Sequence, residues 1–248
     1  MTASRLMFWC FVSLVVAGTA ASTTLAGAQA PAAAPLPLAA PVKPPAPVGS
    51  PAAPAGNPLQ LKFAAPNLQH GQQLAAQGCA GCHGAGGASS KEGVPGLAGQ
   101  IPSYTQFQLT VFRAKLRPSP VMQKVAAKLS DQDVADLSAY FAAQPVGPAW
   151  KADATARSRG EKLFQGGDAA RNVIACAVCH GAGGRGVADN DIASITNLSP
   201  KYANSVLHEF RDSPGFGGLI APEAMRIALH PLTDQDLLDV SAYISSMK

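Results

Sequence analysis

Two pentads, Cys79-Ala-Gly-Cys-His83 and Cys176-Ala-Val-Cys-His180, are the residues of this chain whose types and spacing most plainly can do chemistry. Cysteines three positions apart at a helix start lie on neighbouring turns, so both thiols can face one edge of a porphyrin and add to its vinyl groups. The histidine that follows presents its imidazole to the iron from the same side. The pattern is read as covalent attachment of c-type haem. Two covalently bound haem c groups are therefore expected, held by Cys79, Cys82, Cys176 and Cys179, with His83 and His180 as axial iron ligands. Three rival readings are weaker. A zinc site would join pairs separated by 93 residues, far more than the usual ligand spacing. A thioredoxin-like dithiol needs an alternating strand and helix pattern that is absent. A disulfide within each pair would strain a tight loop and leave both histidines unexplained.

An iron with one histidine needs a sixth ligand or an open site, and that choice separates electron transfer from catalysis. Met1 and Met7 lie at the extreme N-terminus and Met247 beside the C-terminus, which leaves Met122 and Met225. Each stands seven residues before the Leu that opens the last repeated block, Leu129 and Leu232. A thioether there favours ferrous iron, and a filled sixth position leaves no room for substrate. Met122 and Met225 are thus the expected distal ligands. His70, His208 and His230 do not occupy matching positions and are read as surface or structural. No catalytic constellation accompanies the haem motifs, so the chain is read as an electron-transfer protein and not as an enzyme.

These residues recur because the chain around them recurs. Gly71-Gln-Gln-Leu74 matches Gly160-Glu-Lys-Leu163, and the cysteine motifs continue alike into Gly-Ala-Gly-Gly at 84–87 and 181–184. Tyr104 to Arg113 matches Tyr202 to Arg211, and Leu129-Ser-Asp-Gln-Asp133 matches Leu232-Thr-Asp-Gln-Asp236. The offset is 97 residues at the cysteines, 98 at the tyrosines and 103 at the last block; a five-residue insertion in the Gly-rich stretch 213–222 accounts for the increase. Each copy reads as mainly helical. A first helix is predicted from near Pro66 to Gly78, a middle one over Ser103 to Leu116, and a last one from Ser130, where Ser-x-x-Asp suits an N-terminal cap. Val134, Leu137 and Phe141 recur there at helical spacing, as do Leu237, Val240 and Ile244 in the second copy. No period-two strand pattern is evident. The fold class is all-α.

Nineteen basic and 15 acidic residues leave a formal charge of +4, with no Lys/Arg-rich run, which argues against nucleic acid. The apolar run Leu6 to Ala17 after Arg5 has the layout of a secretory signal, with Ala-x-Ala at Ala26 to Ala28 as a cleavage site. An uncleaved anchor is the alternative. Ten prolines between Pro31 and Pro58 make a linker with no core, either a simple spacer or a tether. Cys10 falls within the signal, so no cysteine outside the two motifs remains for a disulfide framework. The expected organisation is a signal at 1–28, a linker at 29–58, and haem-binding domains at 59–147 and 148–248.

The chain resembles the tandem di-haem class I cytochromes c of the cytochrome c-four type. The resemblance runs from about Phe63 to the C-terminus. It rests on both Cys-x-x-Cys-His motifs, Gly93-Val-Pro-Gly-Leu-Ala-Gly-Gln100, Tyr104 with Gln108 and Phe112-Arg113, Met122, and Leu-Ser-Asp-Gln-Asp with Tyr140. It implies two small helical haem domains packed together, His/Met ligation, and electron transfer in the bacterial periplasm. It also implies that first and last helices cross at Gly71 with Tyr140 and at Gly160 with Tyr243. The proline whose carbonyl usually orients the axial histidine corresponds to Pro95. Ala193 stands there in the second copy, so the resemblance does not secure that hydrogen bond for His180. Arg113 and Arg211 are either haem-propionate contacts or helix-end charges.

Three functions remain open at this point. The leading one is a carrier passing single electrons from a respiratory or dehydrogenase donor to an acceptor such as a terminal oxidase. The others are the cytochrome subunit of a membrane-associated dehydrogenase complex, tethered through its N-terminal segment and linker, and a di-haem redox enzyme.

Overall fold

The computed structural model describes residues 59–212 and 220–248, the side chains of 220–222 excepted. The signal, the linker as far as Pro58 and the Gly-rich insertion of the second copy lie outside the described residues. In the first copy Asn67 caps α1 (Leu68–Leu74) by accepting from the Gln69 and His70 amides. The rod does not stop at Gly78. It widens into a π turn (Ala75–Cys79) and continues as α2 (Ala80–His83), because the residue that turns left-handed is Gly84, at φ +79°. Then come α3 (Pro102–Arg113), α4 (Pro120–Ala126) and α5 (Asp131–Ala142). Pro102 and Pro120 sit in first turns, where a missing amide hydrogen costs nothing. Ser130 is the N-cap of α5 and forms a reciprocal capping box with Asp133.

The second copy repeats the plan with α6 (Ala154–Gly166), α7 (Ala177–His180), α8 (Pro200–Asp212), α9 (Ile220–Leu229) and α10 (Asp234–Ile244), the last with a Thr233–Asp236 capping box. Gly71 and Cys79 are eight residues apart, whereas Gly160 and Cys176 are sixteen apart. The eight extra residues form a short hairpin-like loop closed by paired backbone bonds between Asp168 and Val173, 2.9 Å each. Arg171 pins it by bonding both Asp168 and Asp236. Among the described residues the only β pairings are two isolated bridges.

In each copy the first and last helices cross closely, α1 on α5 and α6 on α10. A Cβ on Gly71 would collide with the Asp136 carbonyl and stand 2.9 Å from the Tyr140 Cβ; one on Gly160 would strike the Asp239 carbonyl. Only glycine permits that approach. Beneath it lie two apolar cores, one with Ala75, Leu137 and Phe141, the other with Phe164, Leu237, Val240 and Ile244. Burying each large side chain contributes about 1.5–3 kcal/mol. The crossing also buries one aspartate per copy. Asp136 accepts from the Asn67 amide, Gln132 and His70, at 2.8, 2.8 and 2.7 Å. Asp239 accepts from Gln235 at 2.9 Å and from both arms of Arg159 at 2.6 and 2.7 Å.

Candidate haem sites

The two cysteine motifs sit on equivalent structure. Each short helix, α2 or α7, delivers its histidine as the last helical residue, and a glycine at φ +79° (Gly84) or +75° (Gly181) turns the chain away behind it. His83 is 8% exposed and its Nδ1 lies 2.9 Å from the Pro95 carbonyl. In that pairing Nδ1 carries the proton and donates it, so Nε2 keeps its lone pair for a metal. Burial lowers the imidazole's pKa below its ordinary value, against the opposing pull of the Pro95 carbonyl, which favours the neutral, ligand-competent form.

His180 makes the same bond, at the same 2.9 Å, to the carbonyl of Ala193. Its pKa is likewise lowered by burial and raised in part by that carbonyl. The bond that the missing proline left unsecured is therefore present. The acceptor is a backbone oxygen, and a side chain is needed only to shape the loop. Here the loop is shaped by a Val187–Ile192 bridge and a bond from the Gly186 amide to the His180 carbonyl.

All four motif thiols are free. Cys79 and Cys176 are half-buried, and burial raises the pKa of both thiols, that of Cys176 to about 11. Cys82 and Cys179 point outward. Unpaired thiols on adjacent turns, next to an imidazole with one ring nitrogen left for a metal, fit a porphyrin held by thioether bonds and an axial nitrogen.

Met122 lies on α4, its amide bonded to the Ser119 hydroxyl at 3.2 Å, and is partly buried. Met225 occupies the equivalent place on α9 and packs against the second core. The apolar pattern marks neither helix, although Ser119-Pro120 is a good start signal for α4. Met247, set aside as a terminal residue, is buried in the second core with its carbonyl accepting from the Asn197 amide. The remaining histidines have structural settings. His70 holds Asp136, His208 bonds Asp212 at 3.0 Å, and His230 is exposed. Arg113 and Arg211 have matching tasks. Each bonds the carbonyl of the Leu that opens the last block, Leu129 at 3.1 Å or Leu232 at 3.0 Å, and pairs with the next helix's first aspartate, Asp131 or Asp234. They clamp the middle helix to the last one.

Sequence reasoning had no means of finding Arg117. It is 6% exposed and pairs with Glu209 through Nε and Nη2 at 3.1 and 3.0 Å. It also donates to Gln108 at 2.5 Å and lies 5.1 Å above the Phe112 ring. It thereby joins the first copy to α8 of the second. Gln100 reinforces the junction, its side-chain amide pairing with both backbone groups of Ser194 at 2.8 and 2.9 Å.

The cytochrome c family profile matches residues 68–144 and again 158–248. Cytochrome c4 of Thiocapsa roseopersicina is 38% identical over 62% of this chain and 78% of its own length. The chain belongs to the cytochrome c family, as a tandem di-haem protein of the cytochrome c4 type. The crystal structure of reduced recombinant cytochrome c4 from Pseudomonas stutzeri superposes with a TM-score of 0.67 at 30% identity, covering 74% of this chain and all of that one. A thiosulfate dehydrogenase electron acceptor of Stutzerimonas stutzeri is 35% identical over 58% of this chain and 67% of its own length. This di-haem cytochrome carries two covalently bound haem c groups and is an electron-transfer protein.

Proposed function

We propose that this protein moves single electrons in the periplasm between a dehydrogenase or respiratory donor and an acceptor such as a terminal oxidase. Cys79 and Cys82 attach one haem and Cys176 and Cys179 the other; His83 with Met122, and His180 with Met225, are the axial pairs. The observation that carries the reading is the duplicated bond from Nδ1 of each motif histidine to a backbone carbonyl, Pro95 or Ala193, which leaves each Nε2 available to a metal. Residues 59–147 and 148–248 are taken as the two haem domains, and residues 1–58 as export signal and spacer. Among the described residues no helix is long and apolar enough to cross a membrane.

The chain's own residues position and protect the haem. Gly84 and Gly181, both at positive φ, turn the chain behind each histidine, the Pro95 and Ala193 carbonyls fix the imidazole planes, and the methionines would close the sixth positions to substrate. The test is optical and electrochemical. The oxidised protein should show the weak far-red absorption of iron–methionine ligation, and Met122→Ala or Met225→Ala should each lower the potential of one haem. A variant that leaves both potentials unchanged would remove that methionine from the ligand set.

A dehydrogenase donor has specific support, since one relative is named as the electron acceptor of thiosulfate dehydrogenase. Isolation from native membranes separates the arrangements: a stoichiometric dehydrogenase partner means a complex subunit, and its absence means a free carrier.

A further inference from the structure

The peptide group between Ala193 and Ser194 takes part in two hydrogen bonds that run in the same sense. Its carbonyl oxygen accepts from Nδ1 of His180 at 2.9 Å. Its amide donates to Oε1 of Gln100, a side chain of the first copy, also at 2.9 Å. Both bonds act on one planar, conjugated unit, so an acceptor on the N–H end leaves more negative charge on the oxygen at the other end. The Ile101 amide donates to the same Oε1 at 2.9 Å, and two donors converging on one atom settle which end of the carboxamide is oxygen. Nε2 is then turned to the Ser194 carbonyl, to which it donates at 2.8 Å. Ser194 is 6% exposed, so little water competes for these groups.

We propose that Gln100 is a positioning residue for the second haem: through the 193–194 peptide it strengthens the hydrogen bond made by His180 and so lowers the potential of the haem in the other copy. An axial histidine whose Nδ1 proton is drawn harder toward its acceptor is a more basic ligand at Nε2, which favours ferric iron. A mere staple between the copies could grip any peptide of the second copy. Gln100 grips the one whose carbonyl aims the histidine.

The relay runs from the first copy to the second. Ninety-eight residues after Gln100 stands Leu198, whose side chain has no polar atom to return the contact. The peptide behind His83, between Pro95 and Gly96, lies instead against Asn197, whose Nδ2 would stand 2.6 Å from a Cβ on Gly96. Neither carboxamide atom of Asn197 has a hydrogen-bond partner among the described residues. The two histidines therefore make bonds of equal length to carbonyls that are backed differently.

The proposal rests on His180 as the axial ligand of the second haem, and its test separates the two. In the full haem-loaded protein, reduced and diamagnetic, the His180 Nδ1 proton is identified by NMR through its nuclear Overhauser contact with the Ser194 backbone. Gln100→Leu, the residue type of the second copy, and Gln100→Met, closer in shape, should each move that proton upfield and leave the His83 proton in place. At a fixed poised potential the reduced-to-oxidised ratio of the second haem should rise by about twofold or more, with the first haem unchanged. Glu209→Gln is the control, because it weakens the junction without touching the 193–194 peptide; both imidazole protons should stay where they are. A His180 proton indifferent to both Gln100 changes, an equal move in Glu209→Gln, or a change of potential shared by both haems overturns the proposal. A high-spin haem in the second copy of the unaltered protein would refute the axial assignment itself, and the proposal with it.

Discussion

Asp136 and Asp239 are the carboxylates most dependent on the folded state, since each sits buried at a helix crossing with a full set of donors. For Asp136, burial acts to raise the pKa, but bonds from the Asn67 amide, His70 and Gln132 outweigh it and hold the carboxyl below its ordinary value. For Asp239 the Arg159 bond is the main cause of the lowering, with burial opposing and Gln235 assisting. A carboxyl depressed in the folded state contributes stability that is present above its unfolded pKa, about 3.9, and is lost as pH falls through the lower folded value. The melting temperature should therefore drop steeply below about pH 4. Asp136→Asn with Asp239→Asn should start from a lower melting temperature at pH 7 and lose less of it on acidification; parallel curves would refute the assignment. At this scale the haem residues were legible because their chemistry is local in sequence. The repeat also gave the place of the carbonyl behind His180, at Ala193, but not its bond, since a backbone acceptor leaves no mark in the identity of residue 193. The partners of Asp136 and Asp239 were missed for another reason: His70 and Arg159 perform one task with different side chains, so matching by residue type cannot pair them.

The helix crossing makes a sharper demand on its elements than helix propensity does. In an unconstrained helix interior, glycine to alanine gains up to about 1 kcal/mol. At Gly71 the new methyl group would meet the backbone of α5, which cannot step aside as a side-chain tip can. Gly71→Ala should therefore cost about 1–3 kcal/mol in chemical unfolding, the range of overpacked cores. Gly166→Ala, whose Cβ would meet nothing within 4 Å, is the control and should be neutral or slightly stabilising. Equal effects at the two sites would sink the close-packing argument. The capping boxes give a second check, with Ser130→Ala and Thr233→Ala each expected to cost about 1 kcal/mol. These long elements were readable because α5 and α10 combine a cap with three apolar turns. The seven residues of α4 make only two turns, too few to show a period, and α9 follows the insertion that obscures its start. The extension through Gly78 was hidden because a glycine announces a possible stop, whereas the actual stop is set by which glycine adopts positive φ.

At the scale of the whole molecule, the duplication that makes each copy legible conceals how the copies meet. Arg117 and Glu209 have no counterparts: 98 residues after Arg117 stands Gly215, and 98 before Glu209 stands Val111. Repeat matching weights what the copies share, whereas this junction is built from what they do not. The ion pair is also lopsided. Arg117 is enclosed by Gln108 and the Phe112 ring, and its pKa is raised, chiefly by the Glu209 bond working against burial. The Glu209 side chain keeps 28% of its surface exposed and can turn to water. Removing the carboxylate thus takes the Glu209 charge from a buried cation, whereas removing the cation releases a carboxylate that solvent can accept. Glu209→Gln should cost about 2–3 kcal/mol and Arg117→Met only about 1, because methionine can still cover Phe112 and leaves no buried charge. The double variant should lose less than the two together, with a coupling of about 1–2 kcal/mol. Urea unfolding of the four proteins closes the cycle. Additive losses would mean that the pair does not hold the copies together, and a larger loss for Arg117→Met would reverse which partner is the enclosed one.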